Sequence, residues 1–214
     1  MTSYAQYPRF HVSVDCAIFS FREGRLEILI HRRPYSPAQG LQSLIGGFVE
    51  RNENLEQAAA RILYEFTGLE RVYMQQLAAF GDVGRDPVER VISVVYYALI
   101  NIENYKESSV RNQTEAHWVD VDSLPRLCLD HNDMVAKARR MIGEEIKASP
   151  SVSSNLLPRY FTLTLLQTLY ESILGQPVDK RNFRRSVADK RCVHATKLID
   201  KGSSRRGATL YEFS

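Results

Sequence analysis

The stretch GGFVERNENLEQAAARILYEFTGLE, residues 46–70, constrains this chain of 214 residues more than any other. Its glycine pair interrupts the short apolar run LQSLIGGFV, which reads as a strand. Leu55, Ala58, Ala59, Ile62, Leu63 and Phe66 follow at the spacing of one helix face, which predicts a helix over 54–67. Gly68 is placed to stop it, because glycine accepts the left-handed backbone that ends many helices.

Elements around this unit fit the same plan. VSVDCAIFSF (12–21) and EILIH (27–31) read as strands of a hairpin turned by REGR, and further strands are expected at 72–80, 90–101 and 116–121. An amphipathic helix is predicted from about Asn132 to Lys147. Together these make an α+β fold, a sandwich with helices on a sheet. The Ser- and Pro-rich KASPSVSSNLLP has no apolar period and reads as an exposed linker, so the chain divides into residues 1–150 and 151–214.

No apolar run reaches the roughly 18 residues that span a bilayer, and MTSYAQYPRF lacks the apolar core of a signal peptide. A cytoplasmic protein with no membrane partner is expected. Cys16, Cys128 and Cys192 lie far apart without a CxxC pair, which supports neither a disulfide framework nor a zinc cluster; they read as reduced and mostly buried.

The net charge of +3 hides a division. Residues 1–153 hold 17 basic and 20 acidic side chains, whereas residues 154–214 hold 11 and 5, so a polyanion partner is expected for the C-terminal part alone. TLLQTLYESIL (164–174) reads as a buried helix, with Thr164 and Gln167 in capping-box spacing. GQPV turns the chain, Asp179 is placed as an N-cap, and KRNFRRSVADKR carries six basic residues against the single acid Asp189. Phe183 and Val187 would pin one face and leave Lys180, Arg181 and Arg184 outward. VHATKLID, KGSSRRG and ATLYEF then read as strand, turn and strand. Helix, turn, basic helix and basic hairpin is the order of a winged helix-turn-helix. A charge run is usually a solvated face, but basic residues on both helix and wing point to double-stranded DNA, contacted by Lys180, Arg181, Asn182, Arg184, Arg185, Lys201, Arg205 and Arg206.

Gly47, Glu53, Arg61, Leu63, Glu65, Gly68 and Leu69 stand in the register of the Nudix box: glycine, five residues, glutamate, seven residues, then Arg-Glu-aliphatic-x-Glu-Glu-x-Gly-aliphatic. A match over 23 residues is specific, and SLIGGFVE and GRDPVERVISVVYYALI also resemble this superfamily. The resemblance implies glutamates at positions 62, 65 and 66, which share a helix face and would converge on Mg²⁺ bound to a diphosphate. Here the face reads Ile62, Glu65, Phe66. One carboxylate of three remains, so a degenerate box with no catalytic residues, no resident metal and no cofactor is expected. Leu55, Ile62 and Phe66 equally form one packing stripe, and a core-facing side chain cannot ligate metal either. Arg61 and Glu53 would survive as a structural ion pair.

A degenerate Nudix domain followed by a winged helix resembles the Nudix-related transcriptional regulators of the NrtR and AraR type over nearly the whole chain. DPVERVISVVYYALINI, NLLPRYFTL and DKRNFR look closest to the arabinose-responsive AraR group of Bacteroidetes. The resemblance implies a homodimer on a palindromic operator, released when an effector occupies the Nudix domain. L-arabinose or a related pentose is the expected effector, and a nucleotide sugar or ADP-ribose fits the same polarity. Asp15, a carboxylate in mid-strand, together with Arg32, Glu65 and Arg85, is the expected effector set, although any of them could be a surface ion pair. The competing class is a Nudix hydrolase of ADP-ribose or another nucleoside diphosphate derivative, with Glu50, Glu53 and Glu65 holding one Mg²⁺. An RNA-binding adaptor is the third and weakest, for want of an aromatic stacking motif.

Overall fold

A computed structural model describes residues 4–102, 116–202 and 207–214. Strands β1 (His11–Arg22) and β2 (Arg25–Arg32) form the expected hairpin, turned at Glu23 and Gly24, both of positive φ. β3 (Gln42–Phe48) leads into helix α1 (Leu55–Thr67); β4 (Tyr73–Phe80), β5 (Val91–Ile100) and β6 (His117–Asp120) follow. The sheet order is β4-β5-β1-β3-β2-β6, with β1 and β5 parallel from His11↔Val91 to Ser20↔Ile100. Central strands are covered on both faces, which is why β5 is apolar or aromatic at every position but Ser93.

α1 covers one face. Asn54 caps it reciprocally with Gln57, and Gly68 ends it at φ 70°. Its Ala58, Ala59, Ile62 and Leu63 pack on Val14, Cys16, Ile18 and Ile45. The other face, carrying Ala17, Phe19, Val95 and Tyr97, receives Met134, Val135, Ala138 and Ile142 of helix α2 (His131–Ala148).

The C-terminal part contains α3 (Leu163–Leu174), α4 (Lys180–Asp189) and the hairpin β7 (Val193–Asp200) and β8 (Ala208–Phe213). The segment expected as an exposed linker is folded: Pro150–Asn155 is a 3-10 helix, and Pro150, Ser153, Leu156 and Leu157 are buried. The apolar side of α2 continues into Leu166, Leu169 and Ile173 of α3 and Phe183 and Val187 of α4, so both parts share one core. The cap of α3 is Thr162, accepting from Leu165 N–H, rather than the Thr164 box. Thr162 has the extended backbone typical of an N-cap, following Phe161, which bridges Tyr211 of β8, whereas Thr164 lies inside the helix. Gln167 instead donates to Glu171 and to the Val178 carbonyl, fastening the turn before α4. No helix among the described residues is long and apolar enough to cross a membrane. Cys16 and Cys128 are buried, Cys192 is partly exposed, and all three are free thiols.

Candidate effector pocket and nucleic-acid interface

Strand alternation aims Asp15 at the α2 side of the sheet, where its neighbours Ala17 and Phe19 are apolar. Its partner across the ladder is Gly46, and a Cβ there would collide with the Asp15 carboxylate. The first glycine of the pair is therefore the space that Asp15 occupies. The carboxylate also accepts a short hydrogen bond from Ser93 Oγ on β5.

His131, the first residue of α2, turns its ring to the same place, with Nε2 3.9 Å from Asp15 Oδ1. Its Nδ1 accepts from Leu44 N–H at 3.1 Å, which leaves the proton on Nε2, facing Asp15. Burial opposes a second proton while Asp15 favours one, and the net shift is upward; the Leu44 donor makes the neutral Nε2–H form the one consistent with the hydrogen bonds. Arg85, from the loop after β4, forks onto both oxygens of Asp130 at 2.9 and 2.7 Å, with only 3% of its side chain exposed. Burial opposes its charge, Asp130 restores it, and the balance holds the guanidinium protonated.

Asp15, Arg85 and His131 line a single pocket with Arg33, Tyr35, Gly46, Gly47 and Phe48. Arg33 lies 4.8 Å over the Tyr35 ring and donates to the Pro37 carbonyl. Phe48 is 55% and Tyr35 48% exposed at the rim, Tyr35 with Arg33 over one ring face and Phe48 tilted against the His11 ring at 5.5 Å.

Of the four residues expected as an effector set, the structure brings Asp15 and Arg85 together. Arg32 lies outside the pocket lining, and its Nη1 donates to the Gly40 carbonyl; its neighbour Arg33, just past the end of β2, lines the pocket instead. Glu65 is on α1, across the sheet, ion-paired with Arg61 at 3.3 Å. Tyr35, Phe48 and His131 were not foreseen; the one sequence signal for His131 was a histidine beside an acid at a helix start.

The box residues on α1 serve one another. Arg61 reaches Glu53 at 2.6 Å, Glu65 and the Phe48 carbonyl, as expected of a structural pair. Hydrogen bonds from Arg61 and then from Glu50 N–H hold the Glu53 carboxyl down at about 2. Ile62 is buried against the sheet, below Gly47. Phe66 sets its ring edge-on to His31 at 4.9 Å, and burial followed by the nearby Arg33 charge lowers that imidazole to about 4. Glu53, Arg61 and Glu65 thus form an ion-pair network beside an apolar stripe.

In the C-terminal part, Asp179 caps α4 through Asn182 N–H, and Phe183, stacked edge-on to Tyr170, anchors it with Val187. Lys180, Arg181, Asn182, Arg184 and Arg185 are all exposed on the remaining faces, and Lys201 is exposed at the end of β7. Arg205 and Arg206 lie outside the described residues.

Residues 9–145 match the NUDIX domain family, and residues 153–213 match the NrtR DNA-binding winged helix domain. A curated relative from Acinetobacter baylyi, "ADPR responsive transcriptional repressor NtrR", is 35% identical over 98% of this chain and 84% of its own length. Among solved structures, Shewanella oneidensis NrtR bound to a 27mer DNA superposes with TM-score 0.81 at 28% identity, covering 95% of this chain and 93% of that one. The NUDIX domain of that NrtR complexed with ADP ribose gives TM-score 0.57 at 27% identity, over 66% of this chain and 94% of that one. The special likeness to arabinose regulators has no support in these comparisons.

Proposed function

Because the chain belongs to the Nudix family and carries an NrtR-type winged helix, we propose that it is a transcriptional repressor that leaves its operator when ADP-ribose fills the Asp15 pocket. The observation that carries the choice of effector is the composition of that pocket. Asp15 and His131 Nε2–H offer an acceptor and a donor for ribose hydroxyls, Arg33 offers a cation for a diphosphate, and Tyr35 and Phe48 offer rings for an adenine. A free pentose would use the first pair and leave the basic and aromatic rim without a partner. The name of the Acinetobacter relative and the ADP ribose complex of the Shewanella domain support the same reading.

DNA contact falls to Lys180, Arg181, Asn182, Arg184 and Arg185, with the wing residues Lys201, Arg205 and Arg206 on the backbone, in a homodimer on a palindromic site. The domain is not an efficient hydrolase. Ile62 faces the core and Phe66 faces His31, so Glu65 alone remains of the three carboxylates, held by Arg61. Release from DNA requires that ADP-ribose prefer the conformation that fits the operator poorly.

Fluorescence anisotropy on a labelled operator tests the reading. Saturating ADP-ribose should raise the dissociation constant about 5- to 150-fold, the ordinary range of allosteric coupling, and L-arabinose should leave it unchanged. A shift with pentoses and none with ADP-ribose would restore the sugar-sensor reading and refute this one.

A further inference from the structure

Helix α2 begins in the pocket and ends at the recognition helix. Its 18 residues span about 27 Å at 1.5 Å per residue. At the start, Asp130 is gripped by Arg85 and His131 by Leu44 N–H, and of these four Arg85 and His131 line the pocket. At the far end, the carbonyls of Lys147 and Ala148 accept from Lys190 Nζ at 2.6 and 2.9 Å. Lys190 is the C-cap residue of α4. The last carbonyls of a helix lack intrahelical partners and carry its negative dipole end, so a cation there is a favourable joint.

Between these ends α2 also holds α3. Arg139 donates to the carbonyls of Ser172 and Ile173 in the last turn of α3 while pairing with Asp122 at 2.7 Å. Tyr170 donates to the Ile146 carbonyl at 2.7 Å. Gly143 lets the two helices close up, since a Cβ there would stand 3.2 Å from the Leu174 side chain. Both helices of the DNA-reading pair are therefore fastened to α2 through directed polar contacts.

We propose that α2 is the lever that transmits pocket occupancy to the recognition helix, with Lys190 and Arg139 as the positioning residues that fasten the helix-turn-helix to it. The inference rests on the ADP-ribose reading above. An anionic ligand beside Arg85 competes with Asp130 for the guanidinium and loosens the start of α2. A packed helix moves as a body, and the displacement arrives at α4 through the Lys190 joint. Lys190, although basic and at the end of the recognition helix, is thereby turned away from DNA.

The test uses the full chain and the variants Lys190→Met, Arg139→Met and the double variant, with Lys190→Arg to preserve the donor. ADP-ribose affinity is read by calorimetry, and operator affinity by anisotropy over a salt series, with and without ADP-ribose. In the double variant ADP-ribose binding should stay within about twofold of wild type, while the operator shift falls from about 5- to 150-fold to less than about twofold. Lys190→Arg should keep the wild-type shift. Lys190→Met should also leave the salt slope unchanged, whereas loss of a phosphate contact would lower it by about 0.9. Since Lys190 is exposed, its single variant stands as the test if the double variant does not fold. A wild-type shift in Lys190→Met and the double variant, or a reduced salt slope in Lys190→Met, overturns the lever and leaves the proposed function standing. Failure of wild-type protein to bind ADP-ribose overturns both.

Discussion

The two helices that cover the sheet use their polar side chains in opposite ways. On α1, Arg61 and Glu65, with Glu53 just before the helix, satisfy one another and the preceding backbone, while Ile62 and Phe66 close the rest of that face. On α2 the polar groups reach outward: His131 to the pocket, Glu145 to Tyr97 on β5, Arg139 to α3, and the helix end to Lys190. A helix that satisfies itself can stabilise a domain without reporting on anything. One whose contacts reach four neighbours couples what they do. In this chain the helix that carries the Nudix-box spacing is the one whose polar groups turn back on themselves.

The sharpest way to break that comparison is to restore a box carboxylate on α1. Ile62→Glu places a charge where Ile62 is fully buried, and should cost about 3 kcal/mol or more, as for other uncompensated buried charges. Denaturant unfolding would measure it; unchanged stability would mean that the α1 face is open. A variant on the other side should act on binding first. Gly46→Ala pushes against the Asp15 carboxylate and should weaken ADP-ribose binding at least tenfold, about 1.4 kcal/mol, in calorimetry on protein that melts near wild type.

A smaller effect comes from Glu53. Its carboxyl is held at about 2, below the ordinary carboxylate range, so the folded state prefers it charged. That contribution is fully present above the ordinary carboxylate pKa and is lost as pH falls toward about 2. Thermal melts should therefore show wild type ahead of Glu53→Gln near neutral pH, with the gap closing in acid. The smallest effect is expected for Glu65→Gln, which removes an exposed pair four residues apart and should cost at most about 0.5 kcal/mol.

These contrasts follow how far each feature could be read along the chain. The strands, α1 with its Gly68 stop, the Asp179 cap and the Phe183–Val187 anchor rest on neighbouring residues and periodicity, and all were legible. The Glu53–Arg61 pair was legible because a helix start fixes its geometry. The pocket was legible only in part. Asp15 announced itself as a carboxylate in an apolar strand, but Arg33 lies just past the end of β2, where strand alternation no longer sets the side a residue takes. His131 reaches Asp15 through packing across the sheet, over a sequence separation that no local pattern encodes. The linker was misread because its Ser and Pro composition is that of exposed chain, and only the shared core reveals that Pro150 and Ser153 are covered.

The central claim is that the effector is read on the α2 face and not at the Nudix-box helix α1. Its most direct test is the ADP-ribose dissociation constant of Asp15→Asn set beside that of Glu65→Gln, both by calorimetry on the full chain. Asp15→Asn removes the charged acceptor that faces His131 and should weaken binding about tenfold or more, as expected for a charge-assisted hydrogen bond, with Glu65→Gln indistinguishable from wild type. Loss of binding in Glu65→Gln with wild-type affinity in Asp15→Asn would place the effector on α1 and contradict the account.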